Sequence, residues 1–181
     1  MSKFSYSVLT AVGPDRFGIV EDLSSLIAHR CGNIEDSKMA VLGGEFAAIM
    51  LVTMGEVSLN ELENSLENLG TALNLRIEMK RTRKYETPRD GRPYFLEVVS
   101  MDTLGIVHAV SSVIKQHCIN FENLETDTLP APWTGTPMFR MRATLTLGPH
   151  VSVNNLRNDF AIIQQKFDWE INLKAAFKES L

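Results

Sequence analysis

The sequence predicts an α+β protein built from two copies of one βαββαβ module, because a long segment recurs and the same order of elements follows each copy. Residues 15–36 read DRFGIVEDLSSLIAHRCGNIED, and residues 102–123 read DTLGIVHAVSSVIKQHCINFEN. The two segments align without a gap at an offset of 87 positions, and ten of the 22 aligned positions are identical. Self-similarity over such a length indicates a duplicated domain.

The first half of copy one predicts a strand, a helix and a hairpin. Residues 4–12 alternate and are rich in β-forming residues, as expected of a strand. Apolar residues then follow at three- and four-residue spacing from Ile19 to Ile27, which predicts an amphipathic helix. Gly32 is expected to end this helix in the left-handed conformation. Residues 33–42 and 45–54 flank Gly43-Gly44, which is a hairpin signal.

The second half of copy one predicts a helix and a last strand. Ser58 and Glu61 have the spacing of a capping box, and leucines at 59, 62, 66 and 69 form one stripe. Residues 74–82 alternate and predict the final strand. This order is the ferredoxin-like split βαβ arrangement. Right-handed crossovers place both helices on one face of such a sheet and leave the other face bare.

Copy two repeats the order, with a longer loop in place of the Gly-Gly turn. Strands are predicted at 94–101, 120–129, 137–147 and 169–177, and helices at 104–118 and 152–167. The loop PAPWTGTP, residues 130–137, carries Trp133, which is either a lid or partner surface or part of an ordinary loop. The predicted domains are residues 1–82 and 93–181. Residues 83–92, in a charged segment with two prolines, are the predicted linker.

The composition is that of a water-soluble globular chain. It has 181 residues, 44% of them hydrophobic and 22% charged, with a net charge of −4 and a pI of about 5.6. An acidic chain is unsuited to coating nucleic acid or an anionic membrane, so neither partner is expected. No signal peptide is evident at the N-terminus. Cys31 and Cys118 occupy matching places and are predicted to be small buried residues in a protein of the reducing cytoplasm.

The loop before the first helix of each copy resembles the loop of the ACT domain. The pattern is Asp-x-x-Gly-Ile, at Asp15 and again at Asp102, and an asparagine opens the next strand. ACT domains are βαββαβ modules that bind amino acids and regulate metabolism. Two in tandem are similar to the glycine cleavage system transcriptional repressor family. The family loop usually reads Asp-Arg-Pro-Gly, whereas Phe17 and Leu104 replace the proline here and Thr103 replaces the second arginine.

The resemblance implies a regulatory protein with an amino acid ligand, glycine or serine being the family's suggestion, and a protein partner that in the family is a transcription factor. A helix N-terminus attracts a carboxylate, and a glycine there gives access to the backbone. An aspartate can accept from an ammonium group and an asparagine can both donate and accept, so together they suit the two ends of a zwitterion. The predicted ligand-binding residues are Asp15, Gly18, Ile19 and Asn33, with Asp102, Gly105, Ile106 and Asn120 as a weaker second set. The alternative is an empty interaction module in which Asp15 caps the helix and Gly18 only turns the chain.

Energetics require that such a ligand be enclosed. A charge at an exposed helix end contributes about 0.3–1 kcal/mol. A dissociation constant of 1 µM corresponds to about 8 kcal/mol. The site is therefore expected where the loop of one domain meets a strand of another domain or subunit. Unpaired sheet edges favour association, and a homodimer is predicted.

Catalysis is the rival class of function, and the sequence gives it little support. His29 and Cys31 lie about 200° apart on a helix, so they do not form a thiolate–imidazole pair. The scattered histidines and cysteines lack metal-ligand spacing, so no catalytic residue, metal or cofactor is predicted. A phosphohydrolase resembling acylphosphatase is a weaker alternative. It would use Arg16 and Asn33, but Thr103 interrupts that pattern in copy two.

Overall fold

A computed structural model describes residues 4–83, 91–132 and 134–176. The chain divides into two compact units, Met1–Glu86 and Thr87–Leu181. Each unit has a buried core drawn from its own residues. The predicted lid residue Trp133 and most of the predicted linker 83–92 lie outside the described residues.

Both units have the predicted βαββαβ order. The first contains β1 Phe4–Pro14, α1 Ile19–Ala28, β2 Asn33–Leu42, β3 Glu45–Gly55, α2 Glu56–Leu73 and β4 Arg76–Thr82. The second contains β5 Arg92–Met101, α3 Ile106–Gln116, β6 Phe121–Pro130, β7 Pro137–Leu147, α4 Val153–Phe167 and β8 Glu170–Ala175. The strand orders are β2-β3-β1-β4 and β6-β7-β5-β8, with antiparallel neighbours. The predicted α+β class and ferredoxin-like fold are confirmed.

The alternation of each strand separates a core face from an open face. In β1, Ser7, Leu9 and Ala11 are buried, and Leu9 and Ala11 share the first core with residues of α1 and α2. The opposite face stays accessible, and Ile49 on β3 is 50% exposed. Each β2-type strand also has a register irregularity at the same repeat position, Glu35 in one unit and Glu122 in the other.

The predictions about the end of the first helix were wrong. Cys31 and Cys118 adopt the left-handed conformation, each with φ 54°, and both are exposed. The residue after the last helical turn projects toward solvent, which is why these cysteines are not in the core. Gly32 is instead needed because its neighbours leave no room for a side chain: a Cβ there would lie 2.9 Å from both Ile27 Cγ2 and Met54 Cε.

The capping box predicted at Ser58 is also absent. α2 begins two residues earlier, behind Gly55, and no side chain caps it. Its last turn closes at Asn74, with φ 55°, and the Leu75 N–H donates to the Gly70 carbonyl at 2.9 Å. By contrast, α4 has a side-chain cap, since Ser152 Oγ accepts from the Asn155 N–H at 3.4 Å.

Part of the basic segment near the domain boundary belongs to strands. Lys80 and Arg81 lie in β4, and Arg92 begins β5. The Arg81 guanidinium bonds Glu56 and Glu63 on α2, and these hydrogen bonds raise the pKa of Arg81 above its ordinary value. Arg81 therefore joins α2 to β4. Among the described residues, no helix is both long and apolar enough to cross a membrane.

Candidate ligand-binding site

A glycine precedes the first helix of each unit in a conformation that side chains disfavour. Gly18 has φ 85° and Gly105 has φ 91°, and each is the N-cap of its helix. A Cβ built at either position would meet nothing within 4 Å. The glycines are therefore required by backbone conformation rather than by internal packing, and the space beside them is open to a ligand.

The helix N-termini behind these glycines have no side-chain cap. The first helical bonds run from the Asp22 N–H to the Gly18 carbonyl and from the Ala109 N–H to the Gly105 carbonyl, both at 2.9 Å. The N–H groups that precede these donors in each first turn therefore receive no hydrogen bond acceptor from a capping side chain. Such groups, together with the helix dipole, attract a carboxylate or phosphate.

Asp15 and Asp102 hold their loops through the backbone. The Asp15 N–H donates to the Gly44 carbonyl at 2.9 Å, and the Asp102 N–H donates to the Pro137 carbonyl at 3.1 Å. Neither carboxylate caps a helix, so the alternative in which Asp15 serves as the cap was wrong. The two loops are tied to the neighbouring strand connection, and both carboxylates remain available beside an uncapped N-terminus.

The two loops differ in charge because Arg16 in the first corresponds to Thr103 in the second. The Arg16 guanidinium bonds Asp22 Oδ2 at 2.7 Å and the Phe17 carbonyl at 3.1 Å. It also reaches the Leu73 carbonyl at 3.4 Å, which links the loop to the end of α2. Arg16 is thereby held near the first helix N-terminus with its charge paired to Asp22.

Ile19 and Ile106 are core residues. Each side chain is only 2% exposed and packs in the core of its own unit. A ligand at the loop could contact these residues through the backbone N–H alone. Their side chains anchor the first turn of α1 and α3 and hold its N–H groups in place.

The predicted asparagines lie at the other end of the sheet from the loops. Asn33 pairs with Thr53, which pairs with Tyr6, and Tyr6 precedes Asp15 by nine residues along β1. At about 3.3 Å per strand residue, this places Asn33 about 30 Å from the loop of its own unit. Asn120 is similarly placed, since its neighbour Phe121 is level with Tyr94 at the start of β5. Within one unit, the asparagine and the loop therefore do not form a single site.

A pocket lies against the second loop. It has a volume of about 590 Å³, and Thr103, Leu104 and Met138 contribute to its lining. Phe167 and Trp169 form an aromatic part of the wall, with ring centroids 4.7 Å apart. The sequence did not single out these aromatics, because Phe167 falls at the end of a predicted helix and Trp169 at the start of a predicted strand. The first unit has a cavity of about 710 Å³ beside Gly13 and Pro14, which does not include residues 15–19.

The tip of each loop is a fully exposed apolar side chain. Phe17 and Leu104 occupy equivalent positions and are the most exposed large hydrophobic residues among those described. No group of three or more potential metal ligands occurs in the described ranges 4–83, 91–132 and 134–176. The geometry of the loops therefore offers backbone donors, a carboxylate and an apolar tip.

The sequence is similar to proteins whose function is named. It is 34% identical to the glycine cleavage system transcriptional repressor of Escherichia coli over 132 residues, which is 72% of this chain and 69% of that protein. The model of the ACT domain family matches residues 5–80. The chain belongs to the glycine cleavage system transcriptional repressor family.

Solved structures share the tandem arrangement of this repressor family. A protein of unknown function from Galdieria sulphuraria is 31% identical, with a TM-score of 0.82 over 97% of this chain and 100% of that one. A candidate glycine cleavage system transcriptional repressor is 25% identical, with a TM-score of 0.70 over 97% of this chain and 99% of that one. Among sequence relatives, a UPF0237 protein of Methanopyrus kandleri matches a shorter part of the chain and is 41% identical over 71 residues, 38% of this chain and 79% of that protein.

Proposed function

We propose that this chain is a non-catalytic cytoplasmic regulator that binds a small amino acid at its ACT loops and modulates a partner protein. The observation that carries the proposal is the pair of uncapped helix N-termini, each behind a left-handed glycine with open space beside it. The E. coli relative is named a glycine cleavage system transcriptional repressor. Glycine or one-carbon metabolism, or its transcriptional control, is therefore the proposed setting, with glycine or serine as the ligand.

The ligand carboxylate would lie at the first turn of the helix. Gly18 and Gly105 give access to the backbone, and the N–H groups of Ile19 and Ile106 belong to the donors at this turn. Asp15 or Asp102 would accept from the ammonium group, since neither carboxylate is used as a cap. The ligand would thus be held at both charged ends by groups within one loop.

Asn33 and Asn120 would join the site across an interface. Each lies about 25 Å or more from the loop of its own unit, by the strand rise and the sheet register. A module packed against the loop could bring its own asparagine to the ligand and exclude water there. Enclosure is also what micromolar affinity requires, because one exposed helix end contributes only about 0.3–1 kcal/mol.

The protein partner would contact the loop tips once the ligand is enclosed. Phe17 and Leu104 project fully from the two loops, and exposed apolar groups of this kind favour contact with another protein. No direct contact with nucleic acid is proposed, because the chain is acidic. A homodimer is proposed as the assembled form.

The competing functions make different demands on the same residues. An empty interaction module would give no response to any amino acid. A phosphohydrolase would need Arg16 and Asn33 at one phosphate, but the register puts them at opposite ends of the sheet. A cysteine enzyme would lose turnover in Cys31→Ala.

The deciding experiment is a thermal-shift screen of the twenty amino acids at about 10 mM, followed by Gly18→Val. A ligand present at a hundredfold excess over its Kd adds about 2.7 kcal/mol, which raises the melting temperature by several degrees in a chain of this size. Gly18→Val should remove the part of the shift that depends on the first loop, because a β-branched residue disfavours φ 85° and fills the open space.

The matched control is Gly135→Val, which also replaces a positive-φ glycine with open space around its Cβ position but lies in the β6–β7 loop. It should carry a similar strain cost and keep the ligand shift. A screen with no shift for any amino acid would contradict ligand binding and favour the empty module. Equal loss of the shift in both variants would show that Gly18 acts through stability alone.

A further inference from the structure

The open face of the first sheet has an apolar centre with charged edges. The strand register aligns its residues in rows that cross β2, β3, β1 and β4 in that order. Three successive rows are Asp36–Leu51–Val8–Lys80, Lys38–Ile49–Thr10–Glu78 and Ala40–Ala47–Val12–Arg76. Val12 and Ile49 are 47% and 50% exposed. This face, defined by the three rows, is called the apolar face below.

The equivalent rows of the second sheet are more polar, although they include Phe95, which is 56% exposed. They read Asn123–Thr144–Phe95–Lys174, Glu125–Arg142–Glu97–Asn172 and Asp127–Arg140–Val99–Glu170. The position of Ile49 is taken by Arg142, and that of Ala47 by Arg140. Arg140 Nε donates to Asp127 Oδ1 at 3.1 Å, and this hydrogen bond raises the pKa of Arg140 above its ordinary value. The two open faces therefore differ most along β3 and β7, where the residues are apolar in the first sheet and polar in the second.

We propose that the apolar face packs against the same face of a second copy of this chain. The inference rests on the homodimer of the proposed function and deepens it by assigning the surface. A contiguous apolar patch rimmed by polar groups is typical of a protein interface. The second sheet provides a comparison within the same chain, because it shows that the same fold is compatible with charged residues on the open face.

The charges at the two edges favour a second copy over an unrelated partner. Asp36 and Lys38 are successive residues on the open face of β2. Lys80 lies in the same row as Asp36, and Glu78 lies in the same row as Lys38, both on β4. A twofold axis parallel to the strands places β2 of one protomer over β4 of its partner. Asp36 then faces the partner's Lys80, and Lys38 faces the partner's Glu78. The face is therefore complementary to itself in charge as well as in its apolar centre.

The dimensions of the face indicate a reversible dimer. Four strands at about 4.8 Å spacing and about eight residues at 3.3 Å rise give a surface of about 500 Å² per protomer. Two such faces bury about 1,000 Å² in total, near the lower limit for specific interfaces. The dimer should dissociate on dilution through the micromolar range.

The test is sedimentation equilibrium of the full chain across that range. Ile49→Asp should raise the dimer dissociation constant at least tenfold, because it places a carboxylate in the apolar centre. Arg142→Asp is the matched control at the equivalent position of the second sheet and should leave the constant unchanged. Both sites are at least half exposed, so both variants are expected to fold, and circular dichroism checks this.

Charge reversal at the edges tests the orientation without altering the apolar centre. Lys80→Glu should weaken the dimer, because two carboxylates would then face each other, and Asp36→Lys should weaken it in the same way. The double variant should restore the wild-type constant to within about threefold. Weakening by each single change without recovery in the double variant would overturn the proposed pairing.

A dimer that survives Ile49→Asp unchanged would overturn the assignment of the face while leaving the homodimer in place, held for instance through sheet edges. A chain that stays monomeric at all concentrations would overturn both. The amino acid-dependent melting shift is a separate readout, so loss of the dimer surface and failure of ligand binding can be told apart.

Discussion

At the residue scale, the ends of α1 and α3 show which residue adopts the left-handed conformation and which is limited by space. Cys31 and Cys118 adopt the left-handed conformation at an exposed position, whereas Gly32 is confined between Ile27 and Met54. The glycine is thus needed for space and the cysteine carries the conformational strain. Sequence alone suggests the reverse, because glycine is the usual left-handed residue.

Cys31→Gly should therefore stabilise the protein, even though it removes a residue that recurs in both repeats. A residue with a Cβ costs about 1–2 kcal/mol in the left-handed region, and part of this gain is offset by the greater freedom of glycine in the unfolded chain. The free energy of unfolding in urea should rise by about 0.5–1 kcal/mol.

Gly32→Ala is the companion variant and should lower the free energy of unfolding by about 1–3 kcal/mol, because a Cβ would crowd Ile27 and Met54 in the core. Destabilisation by Cys31→Gly would contradict the assignment of strain to that residue.

At the scale of elements, the two helices of the second unit are joined by a polar contact as well as by their apolar stripes. His117 Nε2 lies 2.7 Å from Asp159 Oδ2, and the histidine side chain is only 16% exposed. His117 caps the end of α3, and Asp159 lies in α4. The pair therefore connects the end of one helix to the middle of the other.

Asp159→Ala should lower the free energy of unfolding by about 1 kcal/mol, because it leaves a largely buried imidazole nitrogen without its partner. Asn158→Ala, at the exposed neighbouring position, is the control and should change it by less than about 0.5 kcal/mol. Chemical denaturation of the full chain measures both. A loss in Asp159→Ala no larger than the change in Asn158→Ala would contradict the contact, because alanine favours the helix at both positions.

At the scale of the whole molecule, the chain consists of two units that each have a complete core. The first core contains residues from Leu9 to Ile77, and the second contains residues from Tyr94 to Trp169. Each unit closes its own four-stranded sheet with its own two helices. A unit of this size buries enough surface to fold independently.

Residues 1–86 expressed alone should fold and unfold cooperatively in urea, and residues 87–181 should do the same. The reason is that neither core draws on residues of the other unit. Circular dichroism and dispersed amide resonances measure the outcome. A fragment that binds hydrophobic dyes and lacks a cooperative transition would show that the units depend on each other for stability.

The sequence alone determined the duplicated βαββαβ order and the location of the loops, because apolar periodicity and a gapless repeat are properties of the chain itself. The helix caps were less predictable: Ser58 and Gly32 have the right residue types, but α2 begins behind Gly55 and Cys31 takes the left-handed position at the end of α1.

Only the tertiary structure decided that Asn33 lies about 30 Å from Asp15. It also decided that Ile49 and Arg142 occupy equivalent places on the open faces of the two sheets. Distance and facing depend on strand register, and register is fixed by the pairing of segments far apart in the chain, which no local pattern encodes.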